Sequence, residues 1–305
     1  MVSLASVSRT EDRHREAQPF LYLLSVVLML SSFAPAIKYV LHHSDLTPLN
    51  LACIRVMIGF LFLVLISLLW DRTGLFFLSR MDVLRLTVLG VFGVGLSYAV
   101  AAWSLLYTSV THYVLIYSLT PSFTALFSFL IGRDRASVLK MAGILISLAG
   151  CMISVSDGFD ATASGFGFGD ALVLLFTMMM SATIVLSAGI VKRYGAMTAN
   201  TAMFGSSFLL LLIGTLFWGE APREHLSPLT LSLILYVGVA TASVFLLRYL
   251  SLQFLTPATV GAFHNLVPVC TIVLAYVVLG ETVQIVTIIG GCATIAGVEL
   301  VRRAP

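Results

Sequence analysis

The stretch ALVLLFTMMMSATIVLSAGI (171–190) contains no charged residue, and it indicates the fold class. An α-helix of about 20 such residues, rising about 1.5 Å each, spans the ~30 Å hydrocarbon core of a bilayer. The stretch LTLSLILYVGVATASVFLL (229–247) has the same character. Of the 305 residues, 59% are hydrophobic and 10% are charged, whereas soluble domains carry about 25% charged residues. The chain is therefore predicted to be an all-α integral membrane protein.

Apolar runs of this kind recur along the chain and predict ten transmembrane helices. These lie near 20–42, 48–70, 83–104, 109–131, 137–155, 169–190, 197–218, 229–250, 256–279 and 283–301. The short connections leave no room for a separate soluble domain. Residues 1–18 are polar and mixed in charge, without the basic-then-apolar order of a cleavable signal, and are predicted to be a disordered tail.

The distribution of basic residues predicts the orientation. With the amino terminus inside, most of the 17 Lys and Arg residues fall in inner segments, and the outer loops hold only Arg223. Because cytoplasmic loops are enriched in Lys and Arg, both termini are predicted to be cytoplasmic, in an inner or plasma membrane. The same bias accounts for the net charge of +3, which gives no indication of nucleic-acid binding. The four cysteines lie in apolar spans, and no spacing indicates a metal site.

The chain contains an internal repeat. Pro121 and Pro268 lie 147 residues apart, and the same interval separates two pairs of glycines. The pairs are Gly143 with Gly290 and Gly150 with Gly297. Five spans per half is an odd number, so the second half enters the membrane from the opposite side, as in many secondary transporters with a site near the midplane. Glycines seven residues apart share one helix face and allow close packing, within the chain or in a homodimer.

Three stretches carry a family resemblance: SSFAPAIKYVLHHSDLTPLNLACIR (31–55), GDALVLL (169–175), and PVCTIVLAYVVLGE (268–281) followed by IIGGCATIAGVEL (288–300). They resemble the EamA-type permeases of the drug/metabolite transporter superfamily. The resemblance implies ten helices in two inverted five-helix repeats around a central cavity, alternating access and no bound cofactor. Departures are Gly132-Arg133, where the family closes the fourth helix with Gly-Glu, and Leu30, where it often has tryptophan.

The predicted domains follow the repeat. They are a cytoplasmic tail (1–19), a first repeat (20–155), an outer linker loop (156–168), a second repeat (169–301) and a cytoplasmic C-terminus (302–305).

The two prolines indicate a candidate substrate site. Proline has no N–H and displaces the carbonyl four residues earlier. Pro121 would thereby free the carbonyl of Tyr117, and Pro268 that of His264. An unpaired backbone group is costly in hydrocarbon, so such breaks face protein or a wet cavity. The two prolines are predicted hinges; the alternative is a pair of simple kinks.

Small polar side chains follow these carbonyls in both halves, because Ser118 and Asn265 are repeat mates. The predicted substrate contacts are therefore His264, Asn265, Tyr117 and Ser118, near the middle of the bilayer.

Two basic residues lie inside the first two spans, which contain no acidic residue. A centred Lys or Arg costs ~2.5–3.5 kcal/mol on insertion scales, so both should face the interior or reach the outer interface. Lys38 is a candidate for binding a substrate carboxylate or phosphate, and Arg55 is predicted to tie helices together.

No Asp or Glu lies near the middle of a predicted span. This argues against a carboxylate proton relay, so His264 or His112 would carry any coupled proton. It also favours neutral, zwitterionic or anionic substrates. We predict a secondary transporter, not an enzyme, that moves a small polar metabolite such as an amino acid outward. The alternatives are a sugar-phosphate or nucleotide-sugar exchanger and, less favoured, a membrane-embedded transferase or a non-transporting receptor.

Overall fold

The computed structural model describes residues 4–70, 78–132, 137–155, 166–219, 226–252 and 266–303, which are helical apart from short connections. The helices are α1 (Leu4–His42), α2 (Pro48–Trp70), α3 (Arg80–Gly90), α4 (Ser97–Ser104), α5 (Val110–Tyr117), α6 (Thr120–Leu130), α7 (Val138–Val155), α8 (Phe168–Tyr194), α9 (Ala196–Trp218), α10 (Pro228–Leu252), α11 (Leu266–Leu274) and α12 (Ile285–Arg303). A π-helical segment (Val91–Leu96) joins α3 to α4, and another (Ala275–Leu279) follows α11.

Seven helical segments in these ranges are long and apolar enough to cross a membrane. They are Gln18–His42, Pro48–Leu69, Arg80–Ser104, Val110–Leu130, Phe168–Tyr194, Ala196–Trp218 and Ile285–Arg303. Three shorter apolar helices are Val138–Ser154, Pro228–Val244 and Leu266–Leu279. The all-helical, membrane-spanning class is confirmed, whereas the count of ten spans and the inverted relation of the halves stay predictions.

The first helix begins earlier than predicted. It starts at Leu4, so the prediction of a disordered tail over residues 1–18 is wrong from that residue onward. This part of the sequence contains Glu, Arg and Ala, which favour helix.

Local signals define the helix ends that matter for the site. The Ser109 hydroxyl accepts the backbone N–H of His112 and starts α5, and Ser79 caps α3 in the same way. At the other end of the chain, the π-helical segment after α11 ends at Gly280, whose φ is +68°. Only glycine adopts this left-handed conformation at low cost, and the turn it allows leads directly into Glu281.

The last helix of one half packs closely against the last helix of the other. A Cβ atom added at Gly150 of α7 would lie 2.4 Å from a backbone nitrogen of α12, and one at Gly297 of α12 would lie 2.3 Å from a backbone nitrogen of α7. Gly143 faces Gly297, and Gly150 faces Gly290, so early residues of one helix meet late residues of the other. The two helices therefore run antiparallel, and their predicted glycine faces meet within one chain.

The halves interlock through several further contacts. Helix α1 packs against α10 and α11, and α2 packs against α9 and α10. Helix α8 of the second half packs in return against α4, α5 and α6, and α9 packs against α3. Tyr113 of α5 packs against three of the buried clusters formed in this way. The middle of α5 therefore lies where the cores of the two halves meet.

Candidate functional site

A largely buried carboxylate joins the two halves at the predicted outer end of the bundle. Glu281 accepts hydrogen bonds from the backbone N–H groups of Val110 (2.8 Å) and Thr111 (3.1 Å) and from the Thr111 hydroxyl (3.1 Å). Its Oε1 also lies 2.9 Å from Nζ of Lys38. The Lys38 ammonium donates a second hydrogen bond to the carbonyl of Thr108 (3.0 Å). We name these five residues the outer contact.

The outer contact is shielded from solvent, since the side chains of Lys38 and Glu281 are only 18% and 14% exposed. Burial raises the pKa of the Glu281 carboxyl, but the hydrogen bond from Val110 and the contacts with Lys38 and Thr111 outweigh it, so the pKa lies below its usual value. The two N–H groups belong to the first turn of α5, where the helix dipole favours negative charge. Glu281 is therefore ionised at neutral pH and holds Lys38 across the halves.

A second carboxylate binds the same segment of the first half. Asp170, near the start of α8, accepts the hydroxyl of Thr108, and its Oδ1 lies 3.4 Å from Nδ1 of His112. Its Oδ2 accepts the N–H of Gly167 (2.9 Å). Both carboxylates thus come from the second half, and both bind residues 108–112 of the first.

A cavity of about 710 Å³, large enough for a small metabolite, opens beside these carboxylates. Its lining includes Lys38, Thr108, His112, Asp170 and Glu281. Most of the residues that line the cavity are charged or can form hydrogen bonds, so the cavity is a polar vestibule at the predicted outer end of the bundle.

A different cluster surrounds a buried cation in α2. Arg55 is 7% exposed, and its Nε donates to the hydroxyl of Thr241 in α10 at 2.9 Å. Its guanidinium carbon lies 4.3 Å from the ring centroid of Tyr98 and 5.0 Å from that of Phe33. Such cation–π contacts contribute about 0.5–2 kcal/mol each. Arg55 therefore contacts α1, α4 and α10 from its position on α2.

An aromatic stack belongs to the same buried cluster as Tyr98, the ring that lies against Arg55. The ring centroids of Tyr113 and Phe176 are 5.9 Å apart, and those of Tyr117 and Phe176 are 5.4 Å apart, with nearly parallel planes. Phe176 is buried, whereas the two tyrosines are half-buried although they lie deep in the bundle. Their rings therefore combine packing with access to open space. We name these three residues the aromatic stack.

The predicted midplane residues of the first half lie at a break in the helix. Helix α5 ends at Tyr117, and α6 begins at Thr120 with Pro121 in its first turn. The Tyr117 carbonyl accepts the Thr120 hydroxyl (2.6 Å), and the Ser118 hydroxyl donates to the Leu115 carbonyl (2.6 Å). The carbonyl predicted to be freed by Pro121 is thus bonded locally, while Tyr117 and Ser118 both stay half-buried.

The other residues of the predicted substrate site lie in different parts of the chain or outside the described residues. His264 and Asn265 lie outside the described residues, and Pro268 is buried near the start of α11. Lys38 belongs to the outer contact. Thr111 of that contact and Tyr117 are separated by about 9 Å along α5, at 1.5 Å per residue. The structure therefore does not bring Lys38 together with Tyr117.

Several residues of these clusters were missed from the sequence. The acidic partner of Lys38 was sought within the first two spans, whereas Glu281 is 243 residues away. The Gly280–Glu281 pair, which carries part of the family resemblance, was the available signal. Tyr98 and Tyr113 gave no signal, because an aromatic residue in an apolar span looks the same whether it packs in a core or lines a site.

Two segments of the chain, residues 18–156 and 167–303, match the EamA-like transporter family. An uncharacterized transporter of Archaeoglobus fulgidus is 29% identical over 281 residues, which cover 92% of this chain and 96% of that protein. The uncharacterized transporter YdfC of Bacillus subtilis is 25% identical over 257 residues, covering 83% and 81% respectively. A solved crystal structure shares the fold at a TM-score of 0.62 and 17% identity, covering 93% of this chain and 96% of its own.

Proposed function

The chain belongs to the EamA-like transporter family, and from this we propose that it is a permease that moves a small polar metabolite, such as an amino acid, by alternating access. Its membership of this family and its similarity to other transporters indicate a multi-pass membrane protein that transports a small molecule. The distribution of Lys and Arg supports a cell-membrane location with both termini in the cytoplasm. The proposed direction of transport is outward.

Two inverted repeats of five spans each are part of the proposal. The antiparallel packing of α7 and α12, which close the two halves, supports it. The contacts between halves also occur in matched pairs: α1 with α10 corresponds to α8 with α4, and α2 with α10 corresponds to α9 with α3. Such pairing is expected when one half is related to the other by a pseudo-twofold axis in the membrane plane.

The observation that carries the mechanism is the outer contact. At one end of the bundle, Glu281 and Asp170 of the second half bind the 108–112 segment of the first. Rocking of one half against the other would break these bonds and open the vestibule. The outer contact is therefore proposed to act as the closed outer gate, with Lys38 serving this gate.

The proposed substrate site lies deeper, at the break between α5 and α6. Tyr117 and Ser118 line it from the first half, and His264 and Asn265 are proposed to line it from the second. Pro121 and Pro268 are the proposed hinges, since proline interrupts the helical hydrogen bonds that would resist bending.

The proposal is tested by transport in proteoliposomes that contain the full chain. Labelled amino acids and sugar phosphates are offered, and uptake and counterflow are measured. We expect saturable uptake of an amino acid, accelerated by the same compound on the opposite side, because alternating access exchanges one substrate for another. Flux that neither saturates nor shows counterflow would indicate a channel. Preference for a sugar phosphate would favour the exchanger.

A further inference from the structure

Arg55 carries a charge that no carboxylate neutralises within the described ranges. Its one hydrogen bond to these residues runs from Nε to Thr241, and two aromatic rings lie against its guanidinium. Lys38, in contrast, is paired with Glu281. A buried cation without a counter-ion is costly, and an anion that binds beside it lowers that cost.

The terminal nitrogens of Arg55 face open space. Among the described residues, no buried side-chain nitrogen or oxygen lacks a hydrogen-bond partner. Nη1 and Nη2 make no hydrogen bond in the same part of the chain, so they must keep access to water-sized space although the residue is only 7% exposed. Stacking on a ring uses the face of the guanidinium and leaves its N–H edge available. That edge matches a carboxylate in a two-point hydrogen bond.

The aromatic stack extends this site away from the charge. Tyr98, whose ring lies against Arg55, belongs to the buried cluster on which Tyr113 packs. The ring of Tyr113 lies 6.3 Å from that of Tyr117 and 5.9 Å from that of Phe176. Ring faces attract an ammonium group by cation–π interaction and also pack against apolar groups. A cationic edge beside aromatic faces therefore suits a molecule with a carboxylate at one end and an ammonium or apolar group at the other.

We infer that Arg55 binds the carboxylate of the transported metabolite and that the substrates are small monocarboxylates, amino acids among them. The inference rests on the proposed permease function. A monocarboxylate balances the single charge of Arg55, whereas a phosphate dianion would leave a buried negative charge. Arg55 would thus bind substrate in addition to the contacts that it makes between helices.

The test is calorimetric binding to the purified full chain in detergent. The probes are the common L-amino acids, the amide of each acid that binds, and inorganic phosphate. We expect at least one acid to bind and its amide to bind at least tenfold more weakly, because a neutral amide forfeits a charge-assisted pair. Arg55→Gln should weaken binding of the acid by about 30-fold or more.

Two variants separate binding from folding. Arg55→Lys keeps the charge but loses the two-point geometry, so it should fold and bind the acid with intermediate affinity. Arg85→Gln removes an arginine whose side chain is 63% exposed, and it should bind as the wild type does. Thermal unfolding and size-exclusion profiles are measured for each variant.

Three results would overturn the inference: acid and amide bind equally, Arg55→Lys binds as tightly as the wild type, or phosphate binds more tightly than every acid. Binding of none of the acids would overturn it as well. The permease proposal is judged separately, by flux. Saturable flux without dependence on Arg55 leaves the permease and removes the site, whereas Arg55-dependent binding without flux of the bound acid leaves the site and removes the permease.

Discussion

Glutamine in place of Glu281 keeps the length of the side chain and one oxygen acceptor but removes the negative charge. The oxygen can still accept the N–H of Val110, 2.8 Å away in the wild type. The ion pair with Lys38 is lost, and the ammonium stays largely buried without a counter-ion. The substitution therefore weakens the outer contact while it preserves the shape of the turn.

The size of the effect follows from the burial of the pair. Removing one partner of a buried ion pair costs about 3–5 kcal/mol. Here the side chains of Lys38 and Glu281 retain 18% and 14% exposure, and Thr108 still accepts a hydrogen bond from Lys38, so the cost is smaller. We expect about 2–3 kcal/mol, which shifts the equilibrium between closed and open outer gates by about 30- to 150-fold.

The assay is thiol labelling from outside the cell. Ser118→Cys is the reporter, in a chain whose four native cysteines are replaced by alanine. A membrane-impermeant reagent reaches residue 118 from outside only when the outer gate opens. We expect Glu281→Gln to raise the labelling rate by at least tenfold, and Lys38→Met combined with it to raise the rate less, because no buried charge is then left unpaired.

Glu299→Gln is the matched control. It removes a carboxylate that binds Arg302 and Arg303 of its own helix, so the labelling rate of the reporter should stay unchanged. Equal rates for Glu281→Gln and the wild-type background would refute the outer contact as a gate.

Three further substitutions or conditions test other parts of the structure. Folding lowers the pKa of Glu281, so its contribution to stability is complete above its usual pKa of about 4.3 and is lost as pH falls through the lower folded value. The thermal midpoints of the wild type and Glu281→Gln should therefore differ at neutral pH, approach each other as pH falls below about 4.3, and converge only below the folded pKa. Gly150→Ala should lower the thermal midpoint by an amount equivalent to about 1–3 kcal/mol, because the added Cβ would lie 2.4 Å from the backbone of α12. Gly214→Ala is the control and should leave the midpoint unchanged, since the nearest neighbour atoms lie 3.8 Å away. Equal midpoints for the two variants would contradict the close packing. Asp170→Asn should lower the free energy of unfolding, measured with a chemical denaturant, by about 1.5–3 kcal/mol. The reason is that the contact with His112 and the hydrogen bond from Gly167 lose their charged acceptor. An unchanged unfolding midpoint would show that this carboxylate is dispensable for stability.

The parts of the fold that were predictable depend on short-range patterns. A run of 20 apolar residues implies a membrane span wherever it occurs, because the thickness of the hydrocarbon core sets the required length. Pro121 predicted the break between α5 and α6, since the missing N–H is a property of the residue itself. Gly150 and Gly290 were predicted as packing positions because a helix face follows from spacing.

The candidate site was predictable only in part. Tyr117 and Ser118 were found from their position before Pro121, but their local hydrogen bonds were not foreseen. Those bonds depend on side-chain rotamers at the break, which the repeat pattern does not specify. The prediction that Arg55 faces the interior or reaches the outer interface needed only the cost of placing a cation in lipid. Its aromatic neighbours needed the structure.

By itself, the sequence determined the membrane class, the repeat and the family, because these depend on composition, spacing and local motifs. Only the tertiary structure decided which charges meet. Lys38 and Glu281 are 243 residues apart, and Arg55 reaches Thr241 across 186 residues. An ion pair depends on the distance between atoms in space, and in this chain that distance is set by the packing of one half against the other.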